Sequence, residues 1–256
     1  MSARLPVLFV GHGNPMHALA DDSFTRTLAR LGRELPRPRA VLCVSAHWLT
    51  GAGLATAVER PRTIHDFGGF PRELFKIEYP APGDPALAAR LRELDPAIGL
   101  DRDWGLDHGA WTVLRHLYPD ASVPVVQLSV PVAEPGAYHL ARGRRLAPLR
   151  DEGVLILASG NVAHNLALLD WAEDAAPRAW AAEFDAFVKA RTEAGDEDAL
   201  AGDPRRMPGG ALSVPTPDHW YPYLYALGAA GGDPVRWEYE GLEHASLSMR
   251  SASFGR

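Results

Sequence analysis

The chain has 256 residues, of which 46% are hydrophobic and 23% are charged, a composition typical of a globular protein. This length suits one large α/β domain, and we expect residues 1–256 to form a single domain. The net charge of −6, with no long run of lysine or arginine, argues against nucleic acid or an anionic membrane as a partner.

The single cysteine, Cys43, lies in an apolar run, so we expect a buried side chain rather than a nucleophile or half of a disulfide. The first apolar stretch of the chain is too short for a signal peptide, and no segment approaches the ~20 apolar residues of a membrane span. These features predict a cytoplasmic protein.

Apolar runs alternate with amphipathic segments, which predicts an α/β fold with a central mixed, largely parallel sheet flanked by helices. The predicted strands are residues 7–10, 41–45, 123–130, 154–159, 235–239 and 246–251. The predicted helices are residues 22–35, 84–94, 110–117, 135–150, 176–193 and 218–229. The polar segment 194–210 is predicted to be a mobile loop.

Histidines follow three of the predicted strands directly. They are His12 in Gly11-His12-Gly13, His47 before Trp48, and His164 between two asparagines. Because α/β folds place their sites at the carboxyl ends of strands, we expect these imidazoles to meet at one edge of the sheet. Gathered histidines suggest a metal held mainly by imidazole, with one or two rings left for proton transfer.

Two further histidines, His108 and His219, lie in predicted loops, each directly after an aspartate. A neighbouring carboxylate can fix the tautomer of a histidine and raise its pKa, so Asp107 is expected to orient His108. Aromatic residues recur near these loops and could form the wall of a pocket for a flat aromatic substrate. They are Trp48, Phe67, Phe70, Trp104, Trp111, Trp220 and Tyr221.

A long irregular region after the second strand contains His65-Asp66-Phe67-Gly68-Gly69-Phe70. Its glycine pair suggests a flexible lid over the site, and His65 is a sixth candidate histidine. His17, His116 and His139 lack supporting context and are expected to be structural, whereas His244, after Gly241-Leu242-Glu243, could approach the site but has no other support.

In chain order, several motifs closely resemble the 4,5-DOPA dioxygenase extradiol family, a branch of the class III extradiol ring-cleavage dioxygenases. The resemblance covers nearly the whole chain. The motifs are Gly11-His12-Gly13-Asn14-Pro15, Ser45-Ala46-His47-Trp48, the 63–71 segment, Tyr79-Pro80-Ala81-Pro82-Gly83, Asp107-His108-Gly109-Ala110-Trp111, the 158–165 segment and Ser246-Leu247-Ser248-Met249.

The resemblance implies an enzyme that opens a catechol such as L-DOPA beside its hydroxyl groups and incorporates both atoms of O₂. It also implies one divalent metal per chain, with His12 and His47 as ligands. His164 and His219 would complete or flank the metal site. His108, and His164 if it is not a ligand, would act in acid–base chemistry.

The metal and its full ligand set stay open at the level of sequence. Non-haem Fe²⁺ oxygenases commonly use two histidines and one carboxylate, for which Glu240 and Glu243 are possible, although His219 is the better third ligand. A histidine-rich site suits Zn²⁺ as readily as Fe²⁺. Zinc would also suit a hydrolase of an amide or ester, with Asp107 or Asp218 as general base. A non-catalytic metal-binding protein is a third, weaker reading.

Overall fold

The computed structural model describes residues 4–172 and 175–256, and it confirms the predicted α/β class with a mixed, largely parallel sheet. The strands are β1 (Val7–Gly11), β2 (Ala40–Thr50), β3 (Leu54–Thr56), β4 (Gly99–Asp101), β5 (Val125–Pro131), β6 (Val154–Gly160), β7 (Val235–Tyr239), β8 (Leu242–Glu243), β9 (Leu247–Ser248) and β10 (Ser251–Phe254). The helices are α1 (Ser23–Glu34), α2 (Pro85–Leu94), α3 (His108–Leu117), α4 (Gly136–Leu146), α5 (Ala179–Glu193), α6 (Glu197–Ala201), α7 (Gly210–Ser213) and α8 (Tyr221–Ala230).

The strand order across the large sheet is β4-β3-β5-β2-β6-β1-β10-β7. Its centre, β5-β2-β6-β1, is parallel, whereas β10 pairs antiparallel with both β1 and β7. The carboxyl ends of β1, β2 and β6 therefore lie side by side at one edge. This edge is where α/β sheets bind ligands.

Both faces of the central strands are buried, because successive residues of a strand point to opposite sides. In β1, Phe9 packs edge-on against Tyr223 of α8, with ring centroids 4.8 Å apart. Leu8 belongs instead to the core beneath α1 and α3, together with Leu28 and Leu114. This burial on two sides explains why the parallel strands read as continuous apolar runs.

Cys43 lies in β2 between β5 and β6 and is 0% exposed. Burial, followed by the nearby charge of Asp107, raises the pKa of its thiol well above the usual value. The side chain is therefore the buried apolar group that the sequence predicts.

The structure contains three short strands that were not predicted, β3, β4 and β8, and it divides the predicted strand 246–251 between β9 and β10. Two predicted boundaries also differ. Strand β2 does not end before His47 but continues to Thr50, with a shift of its register against β5 between Val44 and Leu49. Helix α3 begins at His108, earlier than predicted, because the Asp107 side chain accepts a hydrogen bond from the amide of Ala110 and caps the helix.

The prediction of a mobile loop over residues 194–210 is wrong. Asp196 caps helix α6, whose Leu200 is buried against the core, and a 3₁₀ turn follows at Pro204–Arg206. Short capped helices with few apolar residues escape a search based on long periodic patterns. None of the helices in the described part of the chain has the length and apolarity of a membrane span.

Candidate metal centre and active site

A cavity of about 710 Å³ opens at the carboxyl edge of the sheet, a size typical of small-molecule sites. The histidines predicted to meet there do so, and the aromatic side chains of Phe67, Phe70 and Trp171 line the same space. The histidines that line the cavity are His12, His47, His108, His164, His219 and His244.

His12 is positioned by the tight turn that follows β1. Gly13 has a φ of +67°, and a Cβ atom there would lie 2.8 Å from both His17 Nε2 and Met249 Sδ. The His12 amide donates a hydrogen bond to Gly160 O at the end of β6 (3.1 Å). Glycine at position 13 thus lets the chain turn sharply beside the neighbouring strand.

The tautomer of His12 follows from its partner, Ser159 of β6. The Ser159 hydroxyl donates to Gly109 O at 2.6 Å, so its oxygen is left to accept from His12 Nδ1 at 2.9 Å. With the proton on Nδ1, the Nε2 lone pair of His12 is free. That nitrogen faces His47 Nε2 at 3.0 Å.

His47 reaches this position because the irregular part of β2 passes very close to α3. A Cβ atom on Gly109 would lie 2.6 Å from Ser45 Oγ and 2.8 Å from His47 Cδ2. His47 Nδ1 lies 3.6 Å from Asp66 Oδ2, on the side of the ring away from His12. If this carboxylate draws the proton of His47 to Nδ1, the lone pair on Nε2 is left free, as it is in His12.

Asp66 also holds His108. His108 Nδ1 donates to Asp66 Oδ2 at 2.9 Å, and the His108 amide donates to Asp66 Oδ1 at 2.9 Å. Although burial alone would raise the pKa of Asp66, these bonds from His108 lower it. The carboxylate therefore stays charged and keeps His108 Nε2 turned inward.

The prediction that Asp107 orients His108 is wrong. Asp107 is 0% exposed and accepts hydrogen bonds from Ser45 Oγ (2.6 Å), Gln127 and the amide of Ala110. Burial, and then the charge of Asp66, raise its pKa to about 6. Its side chain points into the helix start because it serves as the cap, so the adjacent residue in sequence is not the partner in space.

His219, unlike His108, is held by the aspartate that directly precedes it in the sequence. Its Nδ1 donates to Asp218 Oδ2 at 2.5 Å, and its carbonyl accepts a bond from the Asn161 amide at the end of β6 (3.0 Å). Burial alone would raise the pKa of Asp218, but the interactions with His219, together with hydrogen bonds from Thr216 and the backbone, outweigh burial and lower that pKa. His219 Nε2 is buried and lacks a hydrogen-bond partner within the described residues.

His164 stacks face to face on His219, with ring centroids 3.5 Å apart and planes 5° apart. The lone pairs of an imidazole lie in the plane of its ring. Two nearly parallel planes separated by this distance share no point at which one ion could meet both lone pairs. In this arrangement His164 and His219 cannot both be well-directed ligands of the same metal.

Burial and electrostatics keep three rings of the cluster, those of His12, His47 and His164, neutral. Burial, and then the neighbouring histidines, lower the pKa values of His12 and His47 well below the usual value. Burial and the adjacent His219 lower that of His164 to about 2. Neutral imidazoles with buried, inward-facing Nε2 atoms are the donor set of a divalent transition metal. His12, His47 and His108 form one compact group of possible ligands, and His164, Asp218 and His219 form a second.

Several candidates from the sequence lie elsewhere. His65 Nε2 faces Ile77 O at 3.0 Å, and Glu243 meets His17 Nε2 at 3.0 Å. Glu240 forms ion pairs with Lys189 and Arg250, so neither glutamate is the missing carboxylate ligand.

Sequence reasoning treated three residues of the cavity as peripheral or left them out. They are Asp66, Trp171 and His244. Of the predicted aromatic wall, Phe67 and Phe70 line the cavity, whereas Trp111 and Trp220 are core residues.

Comparison with known proteins gives consistent matches over the whole chain. The family described as the catalytic LigB subunit of aromatic ring-opening dioxygenase matches residues 6–255. An Escherichia coli K12 protein named 4,5-DOPA dioxygenase extradiol is 49% identical over 99% of this chain and 96% of its own length. A Beta vulgaris protein of the same name is 39% identical over 87% of this chain and 86% of its own. A crystal structure of an uncharacterized Escherichia coli K12 protein has a TM-score of 0.86 and 45% identity, covering 98% of this chain and 100% of that one.

Replacing Ser159 with alanine should weaken binding of a divalent metal about 10- to 100-fold, because the acceptor that fixes the His12 tautomer is lost while every candidate ligand remains. Competition against a coloured chelator measures this affinity. Ser253→Ala is the matched control, since that buried serine of β10 bonds Glu238 instead. Equal affinities in the two variants would show that Ser159 does not orient His12.

Acidification should destabilise the metal-free protein through His164. Its pKa is about 2 in the folded state against 6.5 when unperturbed, so below pH 6.5 only the unfolded chain takes up this proton. Stability is therefore intact above pH 6.5 and falls as the pH drops. Between pH 8 and pH 5 the wild type should lose about 2 kcal/mol more than His164→Gln, as measured by urea unfolding. Equal losses would contradict the assignment.

Proposed function

Because the chain belongs to the LigB family of aromatic ring-opening dioxygenases, we propose that it cleaves a catechol such as L-DOPA at the 4,5-bond with O₂. The product of such a cleavage is a muconic semialdehyde that contains both oxygen atoms. The observation that carries the proposal is the convergence of neutral imidazoles at the inner end of an aromatic-lined cavity.

His12, His47 and His219 are the proposed metal ligands. His12 follows β1, His47 lies near the end of β2, and His219 precedes α8, where its carbonyl is bonded to the residue after β6. Their ring centroids lie between 4.9 and 5.3 Å apart. When bound, a divalent metal such as Fe²⁺ supplies Lewis acidity that favours the catecholate and a position for O₂ beside the substrate. The same imidazoles accept Zn²⁺, which has no redox chemistry.

His164 is then the proposed acid–base residue rather than a fourth ligand, since its ring lies parallel to that of His219. With a pKa of about 2, it is a neutral imidazole near pH 7 and able to accept a hydrogen bond from a catechol hydroxyl. As the acceptor of this hydrogen bond, His164 would orient the hydroxyl and share its proton as charge develops on the oxygen.

His108 has a complementary environment. Its Nδ1–H is held by the Asp66 carboxylate, which fixes the tautomer and leaves Nε2 turned towards the cavity. We assign it the role of orienting the substrate and of holding or donating a proton. The side chains of Phe67, Phe70 and Trp171 pack around the outer cavity and suit a flat ring.

The alternative of a zinc hydrolase is not favoured. The comparisons point to ring-opening dioxygenases. Of the two carboxylates offered as a general base, Asp107 is buried away from the cavity, and Asp218 is engaged by His219. A hydrolytic base would need a carboxylate free to face a bound water.

Protein reconstituted with Fe²⁺ without oxygen and then given O₂ and L-DOPA should consume oxygen and form a yellow product, because the proposed reaction inserts O₂ into the catechol ring. An oxygen electrode and optical absorbance follow the two events. The Zn²⁺-loaded protein is the control and should be inactive. Failure to consume oxygen with L-DOPA or any simpler catechol, despite one metal per chain, would refute the proposed function.

The ligand and acid–base roles separate in two conservative variants. His219→Gln should lose most of its metal, as His12→Ala and His47→Ala should. His164→Gln should keep a full complement of metal and lower kcat by about 10²- to 10⁴-fold, as should His108→Gln. Metal analysis and oxygen uptake measure the two effects. Metal loss in His164→Gln together with retention in His219→Gln would reverse the assignment.

A further inference from the structure

The outer wall of the cavity contains a tight turn with an unusual backbone. The turn joins β8 to β9, and the amide of Ser246 donates to Glu243 O at 3.1 Å. Its central residues, His244 and Ala245, have φ angles of +49° and +67°. Consecutive positive φ angles are unfavourable for residues other than glycine, and such strain is found most often at functional sites.

Three hydrogen bonds and one ring contact from other parts of the chain hold this turn in place. The amide of Asp170 donates to His244 O at 3.0 Å, and the amide of Arg178 donates to Ala245 O at 2.8 Å. On the opposite side, Glu243 accepts from His17 Nε2. The His244 ring packs on Trp171, with centroids 4.5 Å apart. The ring is therefore presented at a defined place on the cavity wall.

The charges of the cavity make this ring distinctive. Within the described ranges, no arginine or lysine lines the cavity. Its carboxylates, Asp66 and Asp218, are engaged by histidines, and the amide of Asn165 bonds Leu212 O and the Ala167 amide. Arg178 pairs with Asp170 and lines a separate surface cavity.

Outside the inner cluster, His244 is thus the side chain of this wall that offers an imidazole donor to a ligand. Asn14 adds an amide, but its oxygen already accepts from the Met16 amide. A carboxylate on the side chain of a catechol would find an imidazole N–H here. Charge-assisted hydrogen bonds of this kind are stronger than those between neutral groups.

We propose that His244 determines specificity by donating a hydrogen bond to a carboxylate on the side chain of the catechol. The proposal rests on the proposed function for the identity of the ring, and it adds the residue that would recognise the carboxylate of such a substrate. The inner histidines bind the diol end, and the turn at His244 binds the opposite end.

The test measures binding without turnover. Zn²⁺-loaded protein is titrated without oxygen by calorimetry, using 3-(3,4-dihydroxyphenyl)propionate and 4-ethylcatechol, a pair that differs in the carboxylate. Wild type should bind the carboxylate about tenfold more tightly, the ratio expected of one hydrogen bond to a charged group. L-DOPA and dopamine form a second pair with the same expected order.

Two variants locate this preference. His244→Phe keeps a ring against Trp171 but removes the N–H, so the carboxylate should lose its advantage while 4-ethylcatechol binds within about twofold of wild type. His244→Asn tolerates a positive φ and supplies an amide donor, so it should keep part of the advantage. Thermal unfolding confirms that both variants are folded.

An equal Kd for the two ligands in wild type would overturn the proposal, as would an unchanged preference in His244→Phe. A parallel loss of both ligands in His244→Phe would also overturn it, because it would show that the ring only supports the turn. Oxygen uptake by the Fe²⁺ form is a separate measurement. If the carboxylate is preferred but no oxygen is consumed, the proposed dioxygenase function is refuted and the role of His244 stands. If oxygen is consumed but the carboxylate is not preferred, the role of His244 is refuted and the proposed function stands.

Discussion

The site depends on the Nδ1 atoms of its histidines being held from outside the cluster. Ser159, Asp66 and Asp218 each bind the outer nitrogen of a ring, so the inner Nε2 atoms are left as free lone pairs. Lone pairs brought together away from water repel one another. Burial, and then the neighbouring histidines, lower the pKa values of His12 and His47, so protonation does not relieve this repulsion near neutral pH. A divalent cation relieves it better, since it binds several lone pairs at once.

The sheet makes this geometry possible. Parallel pairing brings the ends of β1, β2 and β6 together, and small residues allow the next layer to approach. Gly109 leaves room for Ser45 and His47, and Gly160 leaves room for the carbonyl of His219, which a Cβ atom there would approach to 2.3 Å. The energy that holds the cluster together comes from the apolar cores on both faces of these strands, not from the polar groups themselves.

Much of the fold and the membership of the histidine cluster could be predicted from sequence, because buried strands are apolar runs and sites follow their ends. The hydrogen-bond partners of these histidines could not be predicted. Asp107 precedes His108 in the sequence, yet its side chain caps helix α3. Asp66, 42 residues away, is the carboxylate that orients His108. The stacking of His164 on His219 depends on how the chain between them returns to β6. Contacts between distant loops leave no periodic signal, which is why Trp171 was overlooked as part of the cavity and why little in the sequence supported His244.

The burial of Cys43 has a consequence for a protein that handles catechols. Catechols exposed to oxygen form quinones, electrophiles that add to thiolates. The thiol of Cys43 lies in the middle of the sheet, fully shielded and with a raised pKa, so the folded chain offers these by-products no reactive sulfur. Addition of a quinone to this thiol would have to follow unfolding of β2, which links the chemical survival of Cys43 to the integrity of the core.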